Sequence, residues 1–131
     1  MVQDLRPKRL RLVVIPLAVI VAAWIGIGLW IGGDVRVAAR DAQARFGGGA
    51  VAALSAVATS VDAPLDERNR AIWALGQLGD PAALPVLERL QTGAGCQHDR
   101  AVCQREVHKA IAACRGGFNV SAVLWRHTIS G

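Results

Sequence analysis

The stretch "CQHDRAVCQREVH", residues 96–108, gathers two of the three cysteines and two of the three histidines in the chain. Such residues serve three chemistries: metal ligation, nucleophilic catalysis and disulfide formation. The spacing matches none of the common zinc patterns. On a helix, Cys103 and His108 would diverge by about 140°. A cysteine nucleophile would need His98 or His108 oriented against it, and nothing in the sequence does that. His98 and His108 read as solvated polar residues, and His127 has no evident partner. The chain also lacks a Gly-x-Ser-x-Gly, a P-loop and a dinucleotide fingerprint. No metal, no cofactor and no catalytic residue is expected, and the chain does not read as an enzyme.

The third chemistry fits better. Asp99 can cap a helix running to about Arg115, with Cys103, Val107, Ala110, Ile111 and Cys114 on one apolar face. Along that helix Cys103 and Cys114 lie about 16 Å apart, beyond the reach of a disulfide. Cys96, in the loop ahead, can fold back onto Cys103 and pin the loop to the first helical turn. A Cys96–Cys103 bridge implies an oxidising compartment. The other reading is three reduced, buried thiols in a cytosolic domain.

The elements that hold these residues begin with a very apolar segment. Hydrophobic residues make up 53% of the 131 and mean hydropathy is +0.33. Aromatics are scarce and Tyr is absent, a composition for helices rather than strands. Leu12–Gly33 reads "LVVIPLAVIVAAWIGIGLWIGG" without a charge. As a helix it spans about 33 Å, enough for the ~30 Å hydrocarbon core of a bilayer. A signal peptide would have a shorter apolar region with a small-x-small site close behind it. Here the nearest Ala-x-Ala, Ala42 to Ala44, follows several charges, so an uncleaved anchor is expected.

Arg6, Lys8, Arg9 and Arg11 precede the span against Asp4, while Arg36, Arg40 and Arg45 follow beside Asp34 and Asp41. This bias places residues 1–11 in the cytoplasm, residues 12–33 in a bacterial-type plasma membrane, and residues 34–131 outside. The basicity belongs to topology; no basic stripe with interleaved aromatics points to nucleic acid. Within the span, Ala18, Ala22 and Gly26 recur every four residues, and Gly28 with Gly32 forms a GxxxG. Such a face either meets lipid or lets a second helix approach closely, an oligomer contact.

Beyond the span, "LDERNRAIWALGQL" puts Ala71, Ala74, Leu75 and Leu78 on one helical face, with Ile72 at its edge. Gly79 suits a left-handed helix end, Asp80 an N-cap and Pro81 a first helical position. Leu84, Leu87 and Leu90 then make a second stripe, so two antiparallel helices are expected. "AQARFGGGAVAALSAV" (42–57) echoes residues 74–89, and "EVHKAIAAC" (106–114) echoes residues 67–75. The "GGG" at 47–49 then reads as a helix-breaking turn. Echoes at offsets of 32 and 39 residues, with a helical pair per unit, indicate a solenoid.

On Ala71, Ala74, Leu75, Gly76, Leu78, Gly79, Asp80, Pro81 and Leu87, the segment "RNRAIWALGQLGDPAALPVLERL" resembles the HEAT-like repeat of phycobilisome-lyase-related proteins. The resemblance implies an all-α, short solenoid of two or three hairpins with one firm repeat at about 67–92. It also implies a binding scaffold, the usual role of members of that family, of which a minority attach or handle bilin pigments. The matching residues are structural, so no catalytic role carries over. So short an array leaves an end surface, which the tail "FNVSAVLWRHTISG" can cap through Phe118, Val120, Val123, Leu124 and Trp125, or a partner can cover.

Trp73 lies far from the centre of its helix's apolar face, beside Asp66, Asn69, Arg70 and Gln77. Arg70, Trp73 and Gln77 are therefore the candidate partner-binding residues. The other reading packs Trp73 against a neighbouring repeat. The function expected is a membrane-anchored scaffold holding another, membrane-associated protein. The alternatives are a small structural subunit of a larger membrane complex and a bilin-lyase-like cofactor handler.

Overall fold

A computed structural model describes residues 5–96, 100–119 and 122–128. Asp4, His98, Asp99 and Val120, and the side chains of Arg6, Lys8 and Arg9, lie outside the described residues. Five α-helices follow in order: α1 (Leu5–Phe46), α2 (Ala50–Thr59), α3 (Leu65–Leu78), α4 (Leu84–Leu90) and α5 (Gln104–Cys114). Short 3₁₀ turns occupy Pro81–Ala83, Ala122–Leu124 and Arg126–Thr128. The described residues hold no strand, and the chain is all-α with solenoid-like packing.

The repeat echo is visible in the backbone. Gly47 (φ 71°) ends α1 and Gly79 (φ 60°) ends α3, both left-handed positions that a Cβ would strain. Their N–H groups close the last turns on the carbonyls of Gln43 and Leu75, at 2.8 and 2.9 Å. Asp80 caps the next element as expected, its carboxylate accepting from the Ala82 N–H at 2.8 Å, with Pro81 following. That element opens as a 3₁₀ turn before α4 proper begins at Leu84.

The C-terminal part of α1 and the whole of α2 form the first hairpin. α3 packs on α2 with one side and on α5 with the other. It consequently buries Ala71, Ile72, Ala74, Leu75, Gly76 and Leu78, a broader face than one apolar stripe. The short α4 makes its larger contact with α5 rather than back along α3. Alanines dominate the core beside Leu54, Ile72, Leu75, Leu87 and Val107, and such small side chains let the helix axes come close.

Two features depart from the expectations. The last helix begins at Gln104, with Cys103 as its N-cap, instead of near Asp99. The tail is not an end cap of the expected kind. Phe118 (84% exposed) and Val123 (62%) face outward, whereas Ala122 and Trp125 (1%) are buried and Leu124 half-buried. The tail runs back over the end of α3, where Arg126 donates to the Gln77 carbonyl at 3.1 Å, and reaches α1. There Trp125 lies against Gly32 so closely that a Cβ on Gly32 would stand 2.6 Å from the indole Cγ. Among the described residues the indole is the largest fully buried side chain, so one strong contact draws the tail to α1.

α1 is continuous over 42 residues, about 63 Å at helical rise, with Pro16 in its interior. It is long and apolar enough to cross a membrane, and its most apolar window is almost wholly exposed. Gly28 and Gly32 are buried, while Ala18 and Ala22 are exposed and nothing approaches Gly26. The GxxxG thus serves, at Gly32, as the seat of Trp125.

Candidate partner-binding site

The residues picked out on α3 do not form one patch. Arg70 turns toward α1, 3.9 Å from Asp34, and borders a cleft of about 200 Å³ among α1, α2 and α3. The rim of that cleft also carries Asp41, and an Arg45–Glu67 ion pair at 2.6 Å. Trp73 and Gln77 instead line a cleft of about 380 Å³ between α3, α5 and Gly117–Asn119. Trp73 is half-buried: it packs on the core cluster and still forms a wall of the cleft. Both readings of Trp73 therefore describe part of its surroundings.

The second cleft is built from local features. Gly76 sets its floor: a Cβ there would come within 2.9 Å of the Ala110 Cα, so only glycine lets α3 and α5 meet this closely. Asn119 donates to the Gln77 side-chain carbonyl at 2.8 Å, which closes one end. Glu106 and Lys109, one turn apart on α5, pair at 2.8 Å on the opposite rim. Phe118, expected to be buried, is instead the exposed aromatic beside the opening. Trp73 and Phe118 thus give the cleft two aromatic side chains beside an amide and ion-pair rim. Sequence reasoning missed Phe118, Asn119, Glu106 and Lys109, because their place depends on how α5 turns against α3.

Polar residues also tie α3 and α5 to their neighbours. Asn69 accepts from the Cys103 N–H at 2.8 Å and so fixes the start of α5. Buried Gln104 donates to the Leu90 carbonyl at 3.0 Å and accepts from Thr92 N–H at 2.9 Å, tying down the segment after α4. His108 contacts Gln91 at 3.3 Å.

Of the expected bridge, the structure shows proximity without a bond: Cys96 and Cys103 are free thiols with sulfurs 3.3 Å apart. The Arg105 backbone N–H donates to the Cys96 sulfur at 3.3 Å and, with Cys103, holds that thiol below its usual range. Cys114 is separate, directed at the Leu75 carbonyl at 3.6 Å, and burial pushes its thiol up.

Residues 67–92 match the family model of the PBS lyase HEAT-like repeat, which covers α3, the Gly79–Pro81 turn and α4. No curated protein and no solved structure matches the chain.

Proposed function

We propose, for a chain that carries a HEAT-like repeat at residues 67–92, a membrane-anchored scaffold that holds another protein at the membrane surface. HEAT-like repeats act through surfaces, and the cleft that Trp73 and Phe118 line sets two aromatic side chains against a polar rim. The observation that carries the reading is the unbroken α1. Residues 10–27 stand clear of the domain, the end of the apolar run from Gly28 to Gly33 meets the tail at Trp125, and the rest of the helix is the first of the solenoid. A bound partner would therefore be held at a set height and angle, with no flexible linker between membrane and repeat. In this reading residues 1–11 are cytoplasmic, residues 12–33 span a bacterial-type plasma membrane once, and residues 34–131 lie outside. A Cys96–Cys103 bond suits that oxidising side.

Co-purification of the full chain in mild detergent tests the reading. A protein partner retained by the wild type and released by Trp73→Ala is the expected result. A chain that retains nothing, or retains its partner equally with the cleft altered, would overturn it.

A further inference from the structure

The two sulfurs at the start of α5 sit in unlike surroundings. Cys96 is exposed; Cys103 is buried, with its backbone fixed to α3 through Asn69. Their separation of 3.3 Å must shorten to about 2.05 Å for a bond. Cys96 also rests at the N-terminal end of an 11-residue helix, where the Arg105 N–H donates to it. Partial positive charge there favours a thiolate over a thiol. An inert structural bridge needs none of this asymmetry.

We propose that Cys96 and Cys103 form a thiol–disulfide exchange site, in which Cys96 attacks an external disulfide and Cys103 resolves the product. The Cys96 thiolate attacks one sulfur of R–S–S–R. That S–S bond breaks, and R–S⁻ leaves with the electron pair and takes a proton from water. Cys103 gives its proton to solvent and attacks the Cys96 sulfur of the mixed disulfide. The bond between the Cys96 sulfur and R–S breaks, the second R–S⁻ leaves with the electron pair and takes up a proton from solvent, and the intramolecular bond closes. Two electrons pass from the cysteine pair to the external disulfide, which is reduced to two thiols. Closure joins the loop ahead of α5 to its N-cap, and reduction by excess thiol reverses it. The site does not depend on which side of the membrane the domain faces.

The experiment uses the full chain in mild detergent, with oxidised and reduced glutathione as probes. In the reduced, folded protein, iodoacetamide should modify Cys96 about tenfold faster than Cys103 or Cys114, by peptide mass mapping. Cys103→Ser should accumulate a glutathione adduct on Cys96, and Cys96→Ser should form none on Cys103. In the wild type the adduct should give way to a Cys96–Cys103 bond that reduced glutathione reopens without unfolding. Equal alkylation rates, or an adduct on Cys103 instead, would overturn the assignment. So would a bond that opens only when the protein is denatured, since that is a static staple. Should Cys103→Ser fail to fold, the wild-type alkylation rates and the reopening of its bond decide the matter.

Discussion

Two tryptophans illustrate how differently one residue type is used. Trp125 is 1% exposed against Gly32, whereas Trp73 is half-buried at the mouth of a cleft. Truncation of Trp125 leaves a cavity and frees the tail from α1, so Trp125→Ala should cost about 3–5 kcal/mol of stability. Trp73→Ala removes a wall that is only partly covered. It should weaken partner retention by roughly 2 kcal/mol with a smaller loss of stability than Trp125→Ala. Melting curves of both variants beside a pull-down of the Trp73 variant check this. A Trp73 variant that melts as low as the Trp125 variant would show that the indole serves packing instead of binding. The helical wheel placed Trp73 opposite the apolar face, but it could not show that α5 would pack on that side.

Between elements, the α3–α5 contact depends on the absence of a single side chain. Gly76→Ala puts a methyl 2.9 Å from the Ala110 Cα, and backbone cannot yield as a flexible side chain can. We expect overpacking of about 1–3 kcal/mol and a wider cleft beneath Trp73. Denaturant unfolding measures the first effect and loss of partner binding the second. A variant as stable as the wild type would mean that the two helices separate at little cost. Gly76 stood in the repeat motif as one of several matching positions; its reason is the partner helix it faces. The turn after α3 was legible in more detail, because Gly79, Asp80 and Pro81 act on the backbone within a residue or two of themselves.

For the whole molecule, the continuous α1 joins the apolar run to the helices that pack on its C-terminal half, so in the proposed reading the topology of the one fixes the side of the other. A phosphatase fused after Gly131 should be active in intact cells, and a fluorescent reporter that folds only in the cytoplasm should stay dark. The opposite pair of results would move residues 34–131 to the cytoplasm and remove the oxidising environment invoked for the cysteines. By itself the sequence determined the helical class, the apolar run, the repeat at 67–92 and the closeness of Cys96 to Cys103. Each of these is written in periodicity, caps or short loops, where the interacting groups lie within a few turns of one another. The tertiary structure alone decided that α1 continues from the apolar run into the solenoid. It also decided that the Gly28–Gly32 face receives Trp125 at Gly32, and that Arg70 parts from Trp73 and Gln77. Those contacts join residues distant in the chain, and which of several apolar or small surfaces meet is set by the path of the backbone between them.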